Sequence, residues 1–139
     1  MSNGHPKYAN VPGVSAPPGR ISTLAITRSA ELVFLAGQIP DVPSGADVPF
    51  EDQVSQVYGK IRTILDSVGL SMRNIVQMTT FIVGPENVNQ FKRIRDDIFD
   101  KIFVEDQYPP NTAVVVQSLG REGHPVRVEV QVIASREVG

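Results

Sequence analysis

Two charged residues stand where the surrounding pattern asks for apolar ones, and each could do chemistry. Arg95 falls among Phe91, Ile98, Phe99 and Ile102, in the middle of an apolar stripe when the chain advances ~100° per residue as a helix. A guanidinium in that position is costly unless paired. It either snorkels outward or pairs with a carboxylate for structural reasons, or it faces a pocket as the cation for an anionic ligand. Glu129 lies in an alternating run, on the side opposite Val126, Val128, Val130 and Val132. It either pairs with Arg127 or a neighbouring strand, or, in a partly dry cleft, positions and deprotonates a water molecule.

The remaining chemistry candidates are weaker. The chain has no Cys and two His among 139 residues, which excludes a thiolate nucleophile, a disulfide framework and Cys-ligated metal. His5 and His124 have no Ser or Asp at a catalytic spacing and read as ordinary exposed histidines. Asp96, Asp97, Asp100, Glu105 and Asp106 cluster without His or a calcium-loop glycine, so a solvated acidic face explains them and no metal is expected. Gly120-Arg121-Glu122-Gly123 has neither phosphate-loop spacing and reads as a turn. Lys92, Arg93, Arg95 and Lys101 are outnumbered by six acidic residues between Glu86 and Asp106, which disfavours a nucleic-acid surface.

Whatever these residues do, the elements around them must hold them. A chain of 139 residues with 13 Lys plus Arg against 15 Asp plus Glu is long enough for one self-sufficient core. Its pI near 5.6 argues against a nucleic-acid or anionic-membrane binder. No apolar run approaches the ~20 residues that span a bilayer. With no hydrophobic signal region either, a cytoplasmic location is expected.

Pro6, Pro12, Pro17, Pro18 and three glycines make residues 1–20 an extended arm, leaving 21–139 as a single domain. Ser22 to Thr27 and Leu32 to Ile39 read as a β-hairpin, and Pro40 to Pro49 as a loop. From Phe50, apolar residues at Val54, Val57, Tyr58, Ile61, Ile64, Leu65 and Val68 predict a helix stopped by Gly69. Ile75 to Val83 predicts a buried strand, Glu86 to Phe103 a second helix, and Thr112 to Leu119 and Val126 to Ser135 two more strands. The order β-β-α-β-α-β-β is an α+β layer, two helices on one face of a mixed five- or six-stranded sheet. Two helices leave the second sheet face uncovered, so a homo-oligomer is expected.

Gly37-Gln38-Ile39-Pro40 after an apolar strand, Gly69-Leu70, Val76-x-x-Thr79-x-Phe81, Pro110-x-Thr112-x-Val114-x-Val116-x-x-Leu119 and Val128-Glu129-Val130 together resemble the Rid family, the reactive intermediate deaminases or YjgF-like proteins. The resemblance runs from about Ala25 to Ala134 and implies a chorismate-mutase-like (YjgF-like) fold. It also implies a homotrimer with small-molecule clefts between subunits, no cofactor, and hydrolysis of 2-imino acids and their enamine tautomers. Glu129 matches the family's water-handling glutamate and Gly37 its backbone contact to ligand. Asn111, followed by Thr112, occupies the place of the arginine that anchors a substrate carboxylate. Ala36 and Ala113 replace a serine and a cysteine, the tyrosine expected near Ser22 is absent, and Arg95 aligns with an asparagine on the second helix.

The resemblance therefore implies a deaminase-type hydrolase with Glu129 as base, a cleft of Gly37, Arg95, Asn111 and Thr112, and Arg95 as the relocated positive charge. The alternative is a non-catalytic metabolite-binding or regulatory trimer of the same fold. Ribonuclease activity, assigned to some relatives, would need a basic groove and a catalytic histidine pair that this sequence lacks.

Overall fold

The computed structural model describes residues 4–43, 45–119 and 125–138. The elements run β1 (Lys7–Ala9), β2 (Leu24–Ile26), β3 (Ala30–Gln38), α1 (Phe50–Ser67), β4 (Ile75–Val83), α2 (Val88–Ile102), β5 (Asn111–Val116) and β6 (Val128–Glu137). Single 3-10 turns at Met72–Asn74 and Pro85–Asn87 lead into β4 and α2.

Helix α1 buries Phe50, Val54, Val57, Tyr58, Ile61 and Leu65, together with Gln53. It stops where expected. Gly69 has φ +77°, and Leu70 N–H donates to Leu65 O at 2.9 Å while Gly69 N–H donates to Asp66 O at 3.1 Å, the paired bonds of a Schellman cap. Helix α2 buries Phe91, Ile94, Arg95 and Phe99, and Phe99 joins the helices through ring contacts to Tyr58 at 5.4 Å and Phe103 at 5.0 Å.

The main sheet has the order β3-β6-β4-β5. Strand β6 is antiparallel to β3 and β4, whereas β5 is parallel to β4, so the sheet is mixed and the fold α+β. Alternation along β6 places Val128, Val130, Val132 and Ala134 in the core with Ile75, Met78 and Ile82, beneath the helices. Glu129, Gln131 and Ile133 point the other way. On that second face Phe34 is 68% exposed and Leu32 47%, so apolar surface lies open where no described helix covers it.

The expected hairpin does not form. β2 pairs antiparallel with β1, Tyr8 opposite Ala25, in a separate two-stranded sheet, and β3 takes β6 as partner instead. The main sheet therefore has four strands rather than five or six. Tyr8 is the physical reason: its ring is 6% exposed and its hydroxyl donates to Ile75 O at 2.6 Å and Arg73 O at 3.1 Å. Part of the expected arm is thereby tied to the root of β4, and β2 follows it.

Strand limits shift as well. β5 begins at Asn111 and ends at Val116, short of Leu119, while β6 begins at Val128 rather than Val126. Before β6, Arg127 N–H donates to the side-chain Oε1 of Gln53 at 2.9 Å, so a helix residue satisfies that group. The expected turn at Gly120-Arg121-Glu122-Gly123 and His124 lie outside the described residues.

Candidate functional site

Glu129 stands on β6 opposite Phe81 of β4, half-buried on the open face. Among the described residues its carboxylate has no hydrogen-bond or ion-pair partner, Arg127 included. Next to it, β3 is irregular between Leu35 and Gln38, and Gly37 falls in that irregularity. A Cβ on Gly37 would overlap Glu129 Oε2 and sit 2.8 Å from its carboxyl carbon and 3.0 Å from its Cγ. The carboxylate thus lies directly over bare backbone, and glycine at position 37 is a steric requirement of this arrangement.

Thr112 shares the open face. It is opposite Thr79, which in turn faces Gln131. Asn111 turns to the other side of β5: Thr80 Oγ1, fully buried, donates to Asn111 Oδ1 at 3.0 Å. Its Nδ2 is buried without an acceptor among the described residues, a donor left unsatisfied where burial makes that costly.

Arg95 is 1% exposed. Its Nε and Nη2 both donate to Asp96 Oδ1, at 3.2 and 3.1 Å, and its guanidinium lies 5.7 Å from the Phe91 ring centroid. Gly19 covers it: φ is +87°, and a Cβ there would fall 2.5 Å from Arg95 Nη2. Tyr58, wholly buried nearby, has its hydroxyl pKa pushed well up by burial, with the Arg95 charge opposing. The structure therefore brings Gly37 and Glu129 together and sets Thr112 on their face. Asn111 is tied to buried Thr80, and Arg95 is sealed under Gly19 with its own carboxylate partner.

Residues 15–136 match the family model described as endoribonuclease L-PSP. The chain belongs to this family, the Rid or YjgF-like proteins. Among Rid relatives, TdcF of Escherichia coli K12, provisionally named a reactive intermediate deaminase, is 32% identical over 76% of this chain and 79% of its own. A RutC family protein of Pyrococcus horikoshii is 27% identical over 79% and 83%. In three dimensions, a Rid protein of unknown function from Yersinia pestis superposes with TM-score 0.76 at 19% identity, covering 94% of this chain and 98% of that one. The E. coli TdcF structure with bound serine gives 0.64 at 25% identity, covering 94% of each.

Sequence reasoning passed over Gln53, whose Nε2 donates to Val48 O and Pro125 O at 3.0 and 3.2 Å and so anchors the approach to β6 and Glu129. The signal was present: Gln53 interrupts the α1 stripe as Arg95 interrupts that of α2. Arg20 was missed too, and its bidentate pairing with Asp100 across the chain has no local signature. No described helix is long and apolar enough to cross a membrane.

Proposed function

We propose that this Rid protein is a cytoplasmic homotrimer that binds a small polar metabolite in subunit-interface clefts and hydrolyses its imine or enamine. The observation that carries the reading is the Glu129 carboxylate, half-buried, without a partner among the described residues and seated over Gly37. The exposed apolar face carrying Phe34 and Leu32 supports the assembly, since a second copy is the economical cover for it.

The step balances simply. Glu129 takes a proton from water as the hydroxyl oxygen adds to the C=N carbon, the nitrogen is protonated, and the tetrahedral adduct collapses to a carbonyl with loss of ammonia. A 2-imino acid would give a 2-keto acid. Thr112, on the same face as Glu129, is the proposed polar contact; Asn111, turned to the buried side of β5 with an unfilled Nδ2 donor, would join it only by reorienting, and Gly37 leaves room for the Glu129 carboxylate over the backbone.

A second reading is a non-catalytic metabolite-binding or regulatory trimer. It draws on Asn111 and Arg95: a neutral amide stands at the anchoring position, and Arg95, the cation expected to replace the arginine, is already paired with Asp96. Ammonia release from freshly generated 2-imino acids separates the two. Turnover lost in Glu129→Gln supports hydrolysis; saturable ligand binding without turnover in the unaltered protein supports the binder.

A further inference from the structure

The helical layer carries a groove of its own, on the side of the sheet away from Glu129. A cavity of about 300 Å³ opens between α1 and α2, lined by the buried Met72 and Tyr58 and the partly buried Ile98 and Ile102. Arg62 of α1 and Lys101 of α2, both exposed, line it from opposite helices, and no carboxylate does. Neither cation makes a hydrogen bond or ion pair among the described residues. Two uncommitted positive charges thus border an apolar space, in a chain whose 15 acidic residues outnumber its 13 Lys plus Arg.

Two further features point to a ligand independently of charge. Tyr58 lines the groove and is 4% exposed, and its hydroxyl is buried with no hydrogen-bond partner among the described residues. A phenol donor withdrawn from water and left unpaired is unfavourable, and a ligand oxygen would relieve it. Gly59, also in the lining, lies in the middle of α1 without a positive φ, and a Cβ built on it would meet nothing within 4 Å. Glycine there costs the helix ~1 kcal/mol relative to alanine, and neither backbone nor packing requires it. What it provides is open space between the helices.

We propose that this groove binds a small aryl or alkyl carboxylate, an organic anion with an apolar body. The body lies over Gly59 against Ile98 and Ile102, and the carboxylate pairs with Arg62 and Lys101 and accepts from the Tyr58 hydroxyl. The volume, at the lower end of the ~300–1,000 Å³ of small-molecule sites, suits one ring or a short chain. The groove does not depend on how Glu129 acts, and a second copy covering the opposite sheet face would leave it open.

Calorimetric titration of the full chain with 3-phenylpropionate tests this, with 3-phenylpropionamide and 3-phenylpropylamine as neutral and cationic analogues of equal reach. The acid should bind saturably, more weakly as salt is raised, the amide about tenfold more weakly, and the amine not at all. Arg62→Gln combined with Lys101→Gln should weaken acid binding about tenfold, the scale of two partly screened ion pairs, and Tyr58→Phe by a smaller factor. Gly59→Leu should fill the groove and abolish binding while leaving the urea midpoint no lower, since leucine favours helix over glycine; occlusion is thereby told apart from unfolding. Glu129→Gln should leave binding unchanged. No saturable binding of the acid, amide binding as tight as the acid, acid binding indifferent to Gly59→Leu or to the double substitution, or dependence on Glu129 would each overturn the proposal.

Discussion

Replacing Gly19 with alanine tests whether Arg95 is as tightly sealed as its surroundings indicate. Gly19 has φ +87°, which costs an L-residue ~1–2 kcal/mol. The new Cβ would also stand 2.5 Å from Arg95 Nη2 and 3.7 Å from its Cζ. The guanidinium is 1% exposed and held by Asp96, so moving aside means giving up that pair and its packing, an overpacking cost of ~1–3 kcal/mol. Together these come to ~2–5 kcal/mol, or a fall in Tm of roughly 5–15 °C for a domain of this size. Urea unfolding at fixed protomer concentration should show the midpoint lowered with the slope unchanged. In an Arg95→Met background the clash disappears, and Gly19→Ala should cost only the backbone part, leaving a coupling of ~1–3 kcal/mol between the two sites. A Gly19→Ala protein within ~0.5 kcal/mol of the unaltered one, or an equal cost in both backgrounds, would refute the seal.

Gly37→Ala should displace the Glu129 carboxylate, reducing any imine hydrolysis while changing the unfolding free energy by no more than ~1 kcal/mol, because the half-buried side chain can swing aside; full turnover would show that the carboxylate need not lie over position 37. Phe34→Lys places a charge on the open face and should shift the sedimentation profile from the proposed trimer toward monomer, whereas an unchanged profile would locate any interface elsewhere. Tyr8→Phe removes the hydroxyl bonded to Ile75 O and should cost ~1–2 kcal/mol in urea unfolding, with early hydrogen exchange in β1 and β2; no loss of protection would mean the tether is not what holds them. The hydrogen bonds from Arg20 hold Asp100 below the usual carboxylate range, so the folded protein binds fewer protons there than the unfolded chain. That contribution is complete above the ordinary Asp pKa of ~3.9 and is lost as pH falls through the lowered folded value. Arg20→Ala should therefore flatten the acid-side decline of urea midpoints, and an identical decline in both proteins would contradict the sign.

The sequence by itself determined the elements whose evidence is local. The period of the α1 stripe, the Gly69 stop and the alternation that turns Glu129 away from Val128 and Val130 each follow from spacing along one segment. The same periodicity marked Arg95 as a charge inside an apolar face, and it would have marked Gln53 had the stripe been read for its interruptions. What tertiary structure decided are the relations between distant segments. Tyr8 reaches the carbonyl of Ile75 and draws β2 out of the expected hairpin, Gln53 closes the backbone of Arg127, and Gly19 covers Arg95. Each joins residues far apart in the chain, where no periodicity connects them and the choice rests on which side chain can be buried with its polar atoms satisfied. Glu129 was legible as a residue, and its placement over Gly37 was not, because that depends on the β3 irregularity and on the strand that packs beside it.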